Sequence, residues 1–175
     1  MILVLTFVMN TIGRGVTETF AVFLLPVQEG LSVSRSEITL TYSIYMLANG
    51  CTAPFAGQLI DRLGARATYG LGILSLGMGY FLAGYATHIV HYYICVGLLG
   101  GIGAASLGMV AASSLLSRWF VNRIGSVMLL PYAAVGAGMI AIPPLAQLLI
   151  GWYGWRVSHP LIGAGVLALF PFVIM

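Results

Sequence analysis

The chain has 175 residues, 60% of them hydrophobic and 6% charged, with a net charge of +3 and a mean hydropathy of +1.03. A soluble domain carries about 25% charged residues, so a soluble enzyme, a nucleic-acid binder and a disordered chain are excluded. What remains is an all-α integral membrane protein. The positive balance comes from scattered arginines, with no lysine, and implies no nucleic-acid partner.

A helix crossing the hydrocarbon core needs about 20 apolar residues, and the stretches free of formal charge supply them. Ile38 to Ile60 is 23 residues, Ala67 to Ser117 is 51, Ile124 to Trp155 is 32 and Val157 to Met175 is 19. The opening stretch, Ile2 to Val27, is apolar except for Arg14 and Glu18. These runs predict six transmembrane helices over roughly 2–27, 37–60, 66–86, 91–118, 123–151 and 158–175 in one domain, 1–175. Helices satisfy their own backbone in lipid, and the alternation of a membrane barrel is absent. The opening span lacks the basic start of a cleaved signal peptide.

Ser34-Arg35-Ser36-Glu37 forms a capping box ahead of the second helix. Thr87 to His91 is the turn that divides the 51-residue run. Arg62, Arg66, Arg118 and Arg123 fall in connections on one side, Arg35 and Arg156 on the other. The positive-inside rule then makes the Arg62 side, and the amino terminus, cytoplasmic. Cys51 and Cys95 lie in apolar runs and read as buried small hydrophobes rather than a disulfide.

Glycine is abundant, at 23 residues. Gly70, Gly77 and Gly84 repeat every seven, as do Gly72 and Gly79, while Gly97, Gly101 and Gly108 share a face. Such stripes let helices approach closely in lipid. No strand precedes them and no lysine follows, which excludes a nucleotide loop. Pro143-Pro144 predicts a kink in the fifth helix.

Polar residues inside a span are costly and mark function. Asn10, Arg14 and Glu18 recur every four residues, on one helical face near Thr6 and Thr17. Glu18 can pair with Arg14 one turn away. That pair either locks the helix or lines a cavity in which Arg14 meets an anionic substrate while Glu18 balances it or takes a proton. Ser106, Ser113 and Ser117 share a face and read as hydroxyls bonded to their own helix. His88 and His91 flank an external turn, with no Cys, Asp or Glu to complete a metal site. Tyr92, Tyr93, Trp152, Tyr153 and Trp155 fit an interfacial aromatic belt.

Gly57-Gln58-Leu59-Ile60-Asp61-Arg62-Leu63-Gly64-Ala65-Arg66 resembles the signature loop between helices two and three of the major facilitator superfamily, with Ile60 and Ala65 departing from the pattern. Gly57 and Gly64 would allow close approach and a tight turn, and Asp61 could accept from a helix N-terminus or pair with Arg62 and Arg66. Arg118-Trp119-Phe120 with Arg123 and Gly125 is similar to the loop after helix four, and Gly154-Trp155-Arg156 to the segment before helix six. Arg14-Gly15 to Pro26, with the Ser34 cap, resembles the first hairpin of bacterial members near the monocarboxylate-porter and oxalate/formate-antiporter branches. Gly136, Gly138 and Pro143 meet only part of the drug-antiporter pattern.

The resemblance covers nearly the whole chain. It implies the amino-terminal half of a twelve-helix carrier, built from two inverted three-helix repeats and working by alternating access. Because the chain stops inside an apolar run, it reads as an incomplete sequence whose partner is the carboxy-terminal half of the same transporter. The expected solute is a small organic anion such as a monocarboxylate, moved with a proton or a counter-anion across a bacterial inner membrane. Arg14, Glu18 and Asn10 are the candidate substrate residues. Gly57, Asp61, Arg62, Gly64 and Arg66 form the candidate gating loop, with Arg118 and Arg123 in the second cytoplasmic loop. No cofactor, metal or enzymatic step is implied. The alternative is a six-helix channel or a subunit of a membrane complex. An intramembrane serine protease needs a histidine at membrane depth, whereas His88 and His91 sit at the surface and His159 at the start of the sixth helix.

Overall fold

A computed structural model describes residues 2–119 and 124–174. Among these residues the chain is helical, with no strand. Three stretches, Ile89–Trp119, Gly125–Tyr153 and Trp155–Val173, are long and apolar enough to cross a membrane.

The expected first helix is two, α1 (Ile2–Glu18) and α2 (Phe20–Leu31). Thr17 Oγ1 reaches back to Gly13 O at 3.0 Å and Arg14 O at 2.8 Å, and Thr19 Oγ1 donates to Val16 O at 2.6 Å. Hydroxyls that compete for backbone carbonyls loosen a helix, and the interruption falls at Thr19, the N-cap of α2. α2 runs past Val27 to Leu31 and ends at left-handed Ser32 (φ 53°, ψ 43°). There Val33 N–H bonds Gln28 O at 3.1 Å, closing the helix as a Schellman turn does.

The capping box forms as predicted. Ser34 Oγ accepts from Glu37 N–H at 3.3 Å, and Glu37 Oε2 accepts from Ser34 N–H at 2.8 Å. It starts α3 (Arg35–Ala83), whose non-helical interior residue is Gly64 (φ 83°, ψ 169°). The chain reverses at Gly64, as its neighbours establish. Along the first arm Ile44, Ala48 and Gly57 meet Gly97, Gly101 and Val110, rising in step. Along the second, Gly72, Leu76 and Gly79 meet Leu107, Gly103 and Cys95, in the opposite sense. A methyl group at Gly64 would meet nothing within 4 Å, so glycine is required there by the backbone angle and not by space.

The expected fourth helix is segmented into α4 (Ile89–Tyr92), a π-helical stretch (Tyr93–Leu99), α5 (Gly100–Leu107) and α6 (Met109–Trp119). Gly108 is extended (φ −84°, ψ −170°) and separates α5 from α6. α7 (Ile124–Tyr153) carries Pro131, Pro143 and Pro144 within it. α8 (Trp155–Leu167) and α9 (Phe170–Ile174) complete the chain, after a turn in which Gly154 takes φ 73°.

The seven-residue glycine stripes each address one neighbour. Gly70, Gly77 and Gly84 face Phe170, Leu167 and Pro160, so this stripe seats α8 and α9. Gly72 and Gly79 face Leu107 and Leu99 on the fourth-helix region. Gly97 and Gly101 pack against α3, with a Cβ at Gly101 placed 2.7 Å from Ala48. Gly108 does not share that role: its nearest neighbours are carbonyls of its own helix, and it serves as the break. Gly15 and Gly138 bring α1 and α7 into direct backbone approach.

An aromatic part of the hydrophobic core lies toward the Gly154 end. His159, 1% exposed, stacks on Phe23 at 3.8 Å, and its Nε2 lies 3.0 Å from Tyr92 Oη. Tyr80 Oη donates to Val16 O at 2.8 Å beside them. Tyr92 and Trp155 are buried in this cluster, which corrects their assignment to an exposed aromatic belt, whereas Trp152 and Tyr153 are exposed. Cys51 is exposed and Cys95 buried, and both are free thiols.

Candidate functional site

The groups expected to carry function occupy two places. The first is a cavity of about 220 Å³ between α1, the first arm of α3, α5, α6 and, through Val135, α7. Asn10, Arg14 and Thr17 line it from α1, and Tyr45 and Asn49 from α3. Ala104, Ala105 and Gly108 form its far wall, so the helix break at Gly108 borders the cavity. Interrupted helices at membrane depth occur where backbone is covered by protein or lines a cavity.

Asn10 is 1% exposed, and its Nδ2 donates to Thr6 O at 3.0 Å. Its Oδ1 is buried without a hydrogen-bond partner. Arg14 Nη2 lies 2.6 Å from Glu18 Oε1, the i,i+4 pair foreseen from spacing. Arg14 lines the cavity, whereas Glu18 lines a separate depression with Thr39 and Tyr42. Thr17 touches both. The ion pair therefore stands at the partition between two spaces. Its side chains are 39% and 25% exposed, so the arginine is open to a competing anion.

Tyr45 and Asn49 were not anticipated. Asn49 Nδ2 donates to Gly101 O at 3.4 Å. The signal was present: an asparagine inside an uncharged 23-residue run, with a tyrosine one turn before it on the same face.

The second place is the end of the bundle at Gly64. Asp61 does not pair with Arg62 or Arg66. Its Oδ1 lies 2.8 Å from Arg118 Nη2 and accepts from Ser114 Oγ at 2.9 Å. Asp61 and Arg62 are consecutive on a helix and diverge by about 100°, while Arg66 follows the reversal. α6, packed against α3, brings Arg118 to the carboxylate instead. Arg66 and Arg118 also line a groove of about 490 Å³ with Leu5, Gly64 and Trp119. Arg62 and Arg66 form no ion pair among the described residues. Gly57 is not needed for close approach, since a Cβ there would meet Val110 at an ordinary 3.5 Å. Arg123 lies outside the described residues.

Ser106, Ser113 and Ser117 bond carbonyls of their own helical turns, as expected. Among the described residues, no three His, Cys, Asp or Glu side chains gather as metal ligands. Thr87 Oγ1 lies 3.3 Å from His91 Nδ1 at the surface.

The chain is 26% identical over 162 residues to an uncharacterized MFS-type transporter, YcxA, of Bacillus subtilis (strain 168), covering 93% of this chain and 40% of that protein. It is 29% identical over 164 residues to monocarboxylate transporter 13 of Rattus norvegicus, covering 94% and 38%. With monocarboxylate transporter 11 of Homo sapiens the identity is 27% over 165 residues, covering 94% and 35%. The chain thus spans about two fifths of the length of the curated relatives it matches. The family model described as Major Facilitator Superfamily matches residues 3–175, and this chain, an integral membrane protein by its apolar helices, belongs to that superfamily.

Proposed function

We propose that the chain is the amino-terminal half of a secondary transporter that carries a small organic anion, such as a monocarboxylate, by alternating access. The carrying observation is Arg14, a cation at the wall of a cavity among helices, with Glu18 turned to a neighbouring space. An arginine fork matches a carboxylate bidentately. An incoming carboxylate can replace Glu18 on the guanidinium, and that contact offsets part of the cost of its dehydration. Glu18, once released, takes a proton or awaits a counter-anion's departure. The likeness to monocarboxylate transporters 13 and 11 supports the substrate class.

In this reading six spans form two inverted three-helix repeats, and a carboxy-terminal half closes the other side of the cavity. The Gly64 end, with Arg62, Arg66 and Arg118, faces the cytoplasm of a bacterial inner membrane, which also places the amino terminus inside. Asp61 and Arg118 act there in the gate. Saturable uptake of a radiolabelled monocarboxylate into proteoliposomes holding the intact transporter tests the proposal. Flux that stays linear with concentration would favour a channel and overturn it.

A further inference from the structure

Arg66 borders two hollows at the Gly64 end. Beside the groove it shares with Arg118 and Trp119, it also stands at one end of an apolar trough of about 420 Å³. Ala67, Gly70, Leu71 and Leu74 line this trough from the second arm of α3, and Phe170 lines it from α9. At about 100° per residue these α3 positions share one face. Gly70 brings no side chain, and a Cβ there would lie 3.4 Å from the Phe170 ring. Leu71 and Leu74 are exposed, and no residue of the trough lines the cavity beside Arg14. Trp119, 66% exposed in the groove next to Arg66, fits the level of the membrane interface. From Arg66 to Leu74 is eight residues, or about 12 Å of helix. One leaflet of the hydrocarbon core is roughly 15 Å deep, so the trough follows the course of an acyl chain.

We propose that the trough holds one acyl chain of an anionic phospholipid whose phosphate rests on Arg66. Charge decides the class of lipid. Arg66 forms no ion pair among the described residues, and among them no carboxylate lines the trough. Asp61, close in sequence, is engaged by Arg118 and Ser114. A choline or ethanolamine ammonium thus finds no partner here and is repelled by the guanidinium. A headgroup whose phosphate keeps its net negative charge meets an uncommitted arginine fork. The site is separate from the solute cavity and does not depend on which solute is carried.

Native mass spectrometry of the intact transporter in neutral detergent tests this by titration with dioleoylphosphatidylglycerol, dioleoylphosphatidylcholine and glycerol 3-phosphate. The first phosphatidylglycerol should bind about fivefold more tightly than phosphatidylcholine, the worth of one basic residue beside anionic headgroups. Arg66→Gln should remove that preference, and Arg62→Gln, exposed but outside the trough, should leave it. Ala67→Phe, at an exposed position, should weaken both lipids by filling the trough. A phosphatidylglycerol with a diazirine midway along one chain should label α3 between Arg66 and Leu74, or Phe170. If a variant fails to insert, this labelling of the wild type decides. Equal loss of preference in Arg62→Gln and Arg66→Gln overturns the site in favour of diffuse surface charge. Glycerol 3-phosphate that binds as tightly as the lipid overturns the acyl-chain trough in favour of a soluble-phosphate site. Labels confined to other helices overturn the proposal and leave the trough to a packed protein segment.

Discussion

Asp61 and Arg118 sit 2.8 Å apart on two different helices, so the loop at the Gly64 reversal is tied to the end of α6. Ser114 Oγ supports the same carboxylate oxygen. The pair is about half exposed on both sides, and such pairs contribute about 0.2–1 kcal/mol. Asp61→Asn should therefore change transport by about fivefold at most through this contact, with membrane insertion intact. Exchanging the charges, Asp61→Arg with Arg118→Asp, should restore most of the rate. Uptake measured at matched protein levels checks both, and a swap that recovers nothing would show that the two residues act separately.

Topology is open to thiol labelling. Leu63, 61% exposed at the Gly64 end, and Tyr85, 65% exposed at the opposite end, are suitable cysteine positions. On a background lacking Cys51 and Cys95, Tyr85→Cys should react with an impermeant maleimide in intact cells, and Leu63→Cys only after permeabilisation. The arginines at the Gly64 end motivate this orientation. Reaction of position 63 from outside would invert it.

Much of this fold could be read from residue spacing, because the governing interactions are local. Ser34 and Glu37 satisfy each other within one turn, Arg14 and Glu18 pair one turn apart, and the Gly70–Gly77–Gly84 stripe repeats at helical period. What escaped depends on partners distant in sequence or on closely balanced local choices. Thr17 and Thr19 could as well have bonded outward, so the break in the first helix had no clear signature. Asp61 had two arginines near it in sequence and bonded a third on another helix. His159 looked peripheral at a helix start, yet Phe23, Tyr80 and Tyr92 enclose it.

Glycine-to-alanine substitutions should divide sharply. A Cβ at Gly103 would lie 2.5 Å from Leu76 N, a backbone atom that cannot rotate away, whereas one at Gly136 or Gly165 meets nothing within 4 Å. Overpacking costs about 1–3 kcal/mol, while relief of glycine's backbone freedom contributes about 0.4–1 kcal/mol where the conformation permits. Gly103→Ala should lower the melting temperature in detergent, and Gly136→Ala and Gly165→Ala should hold or raise it. Similar melting in all three would contradict the close approach of α5 to α3.

The buried histidine offers a cleaner separation of polar and apolar contributions. His159 Nε2 meets Tyr92 Oη, while its Nδ1 is buried without a partner. Tyr92→Phe removes the Nε2 partner and should destabilise by about 1–3 kcal/mol. Adding His159→Phe removes the stranded ring nitrogens and keeps the stack on Phe23, so the double variant should recover most of that loss. Denaturation in detergent compares the three, and additive losses would show that the bond between the two rings contributes nothing.

The decisive prediction concerns the pair at the cavity wall. If Arg14 receives the carboxylate of a solute, Arg14→Ala should abolish carboxylate binding, and Arg14→Lys should restore only part, because lysine keeps the charge and loses the planar fork. A purely structural pair behaves differently. Removing one partner strands the other charge, whereas replacing both by apolar residues is often neutral or stabilising. Arg14→Leu combined with Glu18→Leu should therefore fold in either case, and its folding carries no information about binding. Its affinity does. The proposed role requires that this folded double variant bind no carboxylate, since no cation would remain at the wall between Asn10 and Thr17. Calorimetry on the intact purified protein reads this directly. Wild-type affinity in the double variant would reduce Arg14 and Glu18 to a helix-locking pair and remove the anion site from this cavity.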